Sequence, residues 1–146
     1  MAHFLVVEDF PPMATLLATA LRREGHTVAR AGSMANALTI NETFDHAVLD
    51  VDLPDGDGVQ LAMLLLNEHR VDSVAFFTAS RDLNTLTHAA RLGLVVDKTA
   101  GYDCLMSAVR QLVTNSGRAG RVAVAGSAES LTIHATGRSG TRRKIE

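Results

Sequence analysis

The chain has a single cysteine, Cys104, among its 146 residues, which excludes an internal disulfide framework and suits a reducing compartment. It has no apolar run approaching the ~20 residues that a membrane-spanning helix needs. It also has no basic leader: Met1-Ala-His-Phe-Leu-Val-Val7 runs straight into the acidic pair Glu8-Asp9 and reads as a first strand, not a signal peptide. The six histidines are scattered without ligand spacing, so none is read as a metal ligand. The run from Asp50 to Gly58 is rich in Asp and Gly, but no choice of first Asp puts Gly at the sixth position, which rejects a calcium loop of the EF-hand kind. Excess basic charge is missing from the body of the chain. Residues 1–116 hold 14 acids against 8 Lys or Arg, whereas residues 117–146 hold 2 against 6. An acidic body argues against non-specific nucleic-acid binding, because phosphate neutralisation needs a basic face. The expectation is a soluble, cytoplasmic protein with one domain over residues 1–116 and a basic extension over 117–146.

What is present is 47% hydrophobic residues, enough for one domain of this length to bury a real core. The apolar residues come as short runs that alternate with stretches of helical period. His3–Val7 is a continuous apolar run. Met13, Leu16, Leu17, Ala20 and Leu21 then recur at helical spacing up to Gly25. Thr27–Ala31 reads as a second strand and residues 34–43 as a second helix with Ser33 as its N-cap. A third strand ends at Asp50, and a helix follows over residues 59–69. Residues 73–77 form the fourth strand, and a helix capped by Asp82 and stopped by Gly93 follows. Residues 94–96 form the fifth strand, and Leu105, Met106, Val109, Leu112 and Val113 form the buried stripe of a fifth helix. Five strand and helix pairs with right-handed crossovers give an α/β fold, a doubly wound parallel sheet of flavodoxin-like order 2-1-3-4-5.

In such a sheet all strand carboxyl ends share one edge, where open α/β sheets bind ligands. That edge receives Glu8 and Asp9, Asp50, Thr78 and Lys98. Lys98 lies two strands from Asp50, about 10 Å away, and its flexible stem can span much of that gap. Each residue alone is an ordinary strand-end polar group; their joint placement at four strand ends is what argues for a site. Three carboxylates in one crevice repel, so a cation among them is expected, and magnesium suits oxygen ligands with retained water. Asp9 and Asp50 are the expected direct ligands, with Glu8 acting through water. The Asp50 carboxylate, its charge offset, could attack phosphorus, with Lys98 and Thr78 meeting phosphoryl oxygens. The Asp52 carboxylate either flanks that group or faces water, and both readings stay open. Asp55 and Asp57 read as turn residues.

Over residues 2–116 the chain resembles the receiver domains of two-component response regulators. The resemblance rests on Glu8-Asp9, Asp50, Leu53-Pro54-Asp55-Gly56-Asp57-Gly58, Thr78-Ala79 and Lys98, in that order. It implies phosphorylation of Asp50 by a phosphohistidine on a sensor histidine kinase, with Mg2+ held by Asp9, Asp50 and the backbone carbonyl of Asp52. It also implies that Thr78 and Lys98 contact the phosphate and that movement of Thr78 reports it. Two positions depart from the family. Val95 stands where an aromatic switch is usual, and valine cannot flip as a ring does. Thr99 follows the lysine in place of a proline with a cis bond; a non-proline cis bond costs about 2.5–4 kcal/mol, so a trans bond and an altered loop are expected.

The reading is therefore a stand-alone receiver that signals to a downstream protein target, with homodimerisation left open and nucleic acid and membrane not expected as partners. Its chemistry is limited to self-phosphorylation from a phosphodonor and slow autodephosphorylation. A phosphorelay shuttle to a histidine phosphotransferase and a phosphate-independent binding module are the alternatives. A phosphatase of the haloacid dehalogenase type shares Asp-x-Asp, but its acidic pair comes last, and this chain lacks room for a cap. In the extension, Ser116-Gly-Arg-Ala-Gly120 reads as a linker. Arg121–Ala125 and residues 131–135 read as two short strands around a turn, and Thr136 to Lys144 as a flexible basic end. A lone hairpin is marginal and needs something to pack on.

Overall fold

The computed structural model describes residues 1–115, 121–125 and 131–134. The linker, the intervening turn and the basic end expected in the extension lie outside the described residues. In chain order the elements are β1 (His3–Val7), α1 (Pro11–Arg23), β2 (Thr27–Ala31), α2 (Met34–Thr39) and β3 (Phe44–Leu49). A two-residue ladder follows, β4 (Asp52–Leu53) with β5 (Gly56–Asp57), then α3 (Gly58–Asn67), β6 (Val71–Thr78), α4 (Leu83–Leu92) and β7 (Gly93–Asp97). A 3-10 turn over Lys98–Ala100, α5 (Tyr102–Thr114), β8 (Arg121–Ala125) and β9 (Leu131–His134) complete them.

The long strands lie in the order β2-β1-β3-β6-β7-β8-β9. With the short β4 and β5 set aside, the first five of these are the parallel, doubly wound order expected from the sequence. β8 adds parallel to the free side of β7, pairing Val95 with Val124, and β9 returns antiparallel.

Successive strand residues point to opposite faces, and the core divides accordingly. Leu5, Val7, Ala47, Leu49, Phe76 and Val95 face one way with α2, α3 and α4. Phe4, Val6, Val48, Ala75, Phe77 and Val96 face the other way with α1 and α5. Phe4, Leu5, Phe76 and Leu49 are completely buried, each contributing roughly 1.5–3 kcal/mol relative to exposure.

Element boundaries differ from expectation for identifiable reasons. α2 ends at Thr39 because Ile40 is extended (φ −75°, ψ 111°). Arg70, in the connection between α3 and β6, donates to the carbonyls of Leu38 and Ile40 and so satisfies the helix end. Pro11 opens α1 at a position where its missing N–H is harmless. Gly93 is not a left-handed helix stop: it is extended (φ −176°) and is already the first residue of β7. Its requirement is space, since a Cβ there would lie 2.1 Å from the Val74 carbonyl oxygen. α4 therefore passes into β7 with no loop between them.

Candidate functional site

The parallel sheet brings the carboxyl ends of β1, β3, β6 and β7 to one edge. β1 ends in Glu8-Asp9. The Glu8 amide donates to the Ala31 carbonyl (3.0 Å), which fixes the chain at that edge, and the Glu8 side chain is buried. β3 runs directly into Asp50, whose amide donates to the Val7 carbonyl (2.9 Å). Asp50 is 6% exposed. Carboxylate oxygens of Glu8, Asp9 and Asp50 all lie within 4.8 Å of one another.

Lys98 leaves the end of β7 and crosses to them. Its Nζ is 2.9 Å from Glu8 Oε1 and 2.9 Å from Asp50 Oδ2, and lies over the Phe77 ring, 5.8 Å from its centre. The stem thus spans the strand-to-strand gap estimated from sheet spacing. Burial alone would lower the Lys98 ammonium, but its bonds to Glu8 and Asp50 outweigh that and hold it above its ordinary value. Burial pushes the Glu8 carboxyl up, and the charge of Asp50 adds to this, while Lys98 and the Phe10 amide pull the other way. Glu8 Oε2 accepts from the Phe10 amide at 3.1 Å. Glu8 Oε1 is held by its ion pair with Nζ alone. An acceptor-rich cluster of three carboxylates with ligand atoms within 4.8 Å of one another fits a divalent cation such as magnesium.

Thr78, buried at the end of β6, accepts a bond from the Ser80 amide at Oγ1 (3.0 Å). It sits opposite Asp97 in the β6–β7 register. The Asp52 amide donates to Asp50 Oδ1 (3.1 Å), while the Asp52 side chain is exposed. The structure therefore brings the carboxylates of Glu8, Asp9 and Asp50 within 4.8 Å of one another, sets the Lys98 ammonium against Glu8 and Asp50, and places Thr78 at the end of the neighbouring strand.

Three features escaped the sequence reading. The Asp55 carboxylate, read as a turn residue, reaches across to α2 and accepts from the amides of Met34 (2.8 Å) and Ala35 (2.9 Å). These bonds hold it below the usual carboxylate range. Asp57 caps α3 by accepting from the Val59 amide (2.8 Å), so the loop after Asp50 is tied at both ends. The next residue, Gly58, is required by crowding, since a Cβ there would lie 2.0 Å from the Asp50 carbonyl oxygen. An Asp-Gly run signals a turn, but nothing local says which helix the turn will touch.

No cis peptide bond occurs among the described residues, so Lys98-Thr99 is trans as expected. The loop is altered: Lys98 opens a 3-10 turn that ends at Gly101, with φ at 95°. Val95 is 4% exposed and packs in the core.

A sequence model of the family described as "response regulator receiver domain" matches residues 4–110. The chain belongs to that family. Among curated proteins it is 39% identical over 103 residues to the transcriptional regulatory protein TcrA of Mycobacterium tuberculosis, covering 69% of this chain and 36% of TcrA. It is 35% identical over 94 residues to DpiA of Escherichia coli, covering 62% of this chain and 42% of DpiA. The chain thus spans well under half the length of these relatives. Among solved structures it is similar to the response regulator TrrA of Thermotoga maritima in complex with Mg(2+)-BeF. The TM-score is 0.65 at 25% identity, covering 77% of this chain and 99% of that one. TrrA in complex with the histidine kinase ThkA gives a TM-score of 0.64 at the same identity and coverage. No helix among the described residues of this receiver domain is long and apolar enough to cross a membrane.

Proposed function

We propose that the chain is a phosphorylation-driven signalling switch that accepts a phosphoryl group on Asp50 from the phosphohistidine of a sensor histidine kinase. The observation that carries this reading is the position of the Lys98 ammonium, 2.9 Å from both Asp50 and Glu8 at the carboxyl edge of the sheet. A nucleophilic carboxylate needs its negative charge offset before an anionic donor can approach, and this lysine and a cation among the acids do that. Asp9, Asp50 and the Asp52 backbone carbonyl would hold Mg2+, with Glu8 acting through water. When bound, the ion would neutralise charge on the incoming phosphoryl oxygens.

A carboxylate oxygen of Asp50 attacks phosphorus in line with the leaving nitrogen. The P–N bond breaks with its electrons returning to the imidazole, and the product is an acyl phosphate on Asp50. Lys98 turns from the carboxylate to a phosphoryl oxygen, and the Thr78 hydroxyl leaves the Ser80 amide to donate to another. The added charge and acceptor oxygens then bias the loops after β3 and β6 toward a partner protein.

A histidine kinase partner is supported by the ThkA–TrrA complex, and magnesium by the Mg(2+)-BeF complex of TrrA. A downstream protein target, self-association and a cytoplasmic site of action complete the proposal. Incubation with acetyl phosphate and Mg2+, where acetate leaves in place of imidazole, tests it by mass spectrometry. One added phosphoryl group, absent from Asp50→Ala, is the expected result. No uptake, or undiminished uptake by Asp50→Ala, overturns the proposal.

A further inference from the structure

We infer that Asp97, Thr99 and Arg81 form a clasp that positions Lys98 for phosphoryl transfer; the inference rests on the reading of Asp50 as phosphoacceptor. Lys98 is the first residue of the three-residue turn after β7, so the direction of its stem follows the shape of that turn. Without a proline after the lysine, φ at Thr99 is not fixed by a ring. Hydrogen bonds do that work here. Asp97 Oδ1 accepts from the Thr99 amide (2.8 Å) and the Thr99 hydroxyl (2.7 Å), closing a turn across Lys98.

The second oxygen of the same carboxylate faces the neighbouring loop. Asp97 Oδ2 accepts from Arg81 Nη1 at 2.7 Å, and Arg81 Nη2 is 3.4 Å from the Thr99 hydroxyl. Arg81 lies three residues beyond Thr78, and Thr78 is the register partner of Asp97. One carboxylate therefore shapes the turn bearing Lys98 and ties it to the loop that follows Thr78. Arg81 is 72% exposed, and an exposed ion pair adds little to stability. Its consequence is geometric, because displacing a group by about 1 Å in a transfer site can lower the rate on the order of 100-fold.

The two roles separate by substitution. Asp97→Asn keeps an oxygen for the Thr99 bonds and removes the charge facing Arg81, whereas Asp97→Ala removes both. Thr99→Ser keeps the hydroxyl that Thr99→Val removes. With the full chain and saturating Mg2+, the phosphorylation rate is measured against acetyl phosphate concentration, the Mg2+ midpoint by NMR titration, and folding by thermal melts. Asp97→Ala is expected to lower the maximal rate about tenfold, with half-saturation and Mg2+ midpoint within about twofold of wild type. Asp97→Asn recovers part of that loss, the remainder being the share of the Arg81 contact, and Thr99→Ser outpaces Thr99→Val.

Should Asp97→Ala fail to fold, Asp97→Asn and the Thr99 pair carry the same comparison. A wild-type maximal rate in Asp97→Ala, or no difference between Thr99→Ser and Thr99→Val, overturns the clasp while leaving the labelled wild type, and so the phosphoacceptor reading, intact. A wild type that takes up no phosphoryl group overturns both.

Discussion

Replacing Lys98 by Met removes the ammonium placed between two buried carboxylates while keeping a stem of similar length. Side-chain exposure is 2% at Glu8, 6% at Asp50 and 21% at Lys98, so the pairs lie within the regime where removing one partner leaves an uncompensated charge. Breaking a fully buried pair costs about 3–5 kcal/mol. Asp9 is exposed and the crevice is open on that side, so water enters and the expected loss is about 2–3 kcal/mol at pH 7.5 in EDTA. The pH dependence has a definite sign. The Glu8 carboxyl is already raised above its ordinary value, and losing Lys98 raises it further. A carboxyl whose folded value exceeds its unfolded one penalises folding above the unfolded value and relieves the penalty as it takes up a proton. The deficit of Lys98→Met therefore shrinks as pH falls from 7.5 toward 5, and it shrinks again on adding Mg2+ at pH 7.5. Urea denaturation followed by circular dichroism measures both. A variant as stable as wild type at pH 7.5 in EDTA, or a deficit that grows on acidification, refutes the reasoning.

Gly58→Ala forces a Cβ to within 2.0 Å of the Asp50 carbonyl oxygen unless the chain moves; a loss of about 1–3 kcal/mol in urea titrations should come with slower phosphoryl uptake from acetyl phosphate. Asp55→Ala frees the amides of Met34 and Ala35, and hydrogen exchange should show those two amides losing protection while the β1 and β3 amides keep theirs. His46, 1% exposed and bonded to Ser73 Oγ at 2.6 Å, has its value lowered by burial from an ordinary 6.5. The unfolded chain then binds more protons, so stability is full above that value and falls as pH drops below it, by at most about 1.4 kcal/mol per pH unit. His46→Gln should flatten the pH 7 to 5.5 limb of the stability curve, and an unchanged slope would count against the assignment.

The fold was legible because β1, β3, β6 and β7 are short apolar runs stopped by an acid, a hydroxyl or a lysine, and because parallel crossovers leave one arrangement for these runs and β2 between their helices. The site followed from the same pattern, since Glu8, Asp9, Asp50, Thr78 and Lys98 all sit at strand ends of one edge. What stayed hidden depends on contacts between distant parts of the chain. Arg70 decides where α2 ends, and Asp55 ties the loop after Asp50 to α2; neither partner leaves a periodic trace in the sequence. Gly93 carried a correct signal for a helix end but for a different physical reason, the nearness of the Val74 carbonyl. Strand character in residues 121–125 was legible; the β7 edge that receives them was not, because alternation fixes an element's type and leaves its neighbour open.

That added strand changes how a signal could leave the site. Val95 is paired on one side with Phe76 of β6 and on the other with Val124 of β8, and its side chain is part of the core. A strand hydrogen-bonded on both sides moves only if two ladders adjust together, and a buried valine has no polar end to draw it toward solvent. A rotating side chain at position 95 is therefore no route for output. The loops after β6 and β7 remain, and they are the two segments that Arg81 and Asp97 connect. If phosphorylation draws Thr78 inward, the backbone from Ser80 to Asp82 must follow, and Arg81 either drags the Lys98 turn with it or releases Asp97. Either outcome changes the exposed surface between the start of α4, where Leu83 is 77% exposed, and the start of α5, where Tyr102 is 44% exposed. On the proposed reading, a signal from Asp50 would reach a partner through the Arg81–Asp97 ion pair between these loops, where the family resemblance implies an aromatic ring at residue 95.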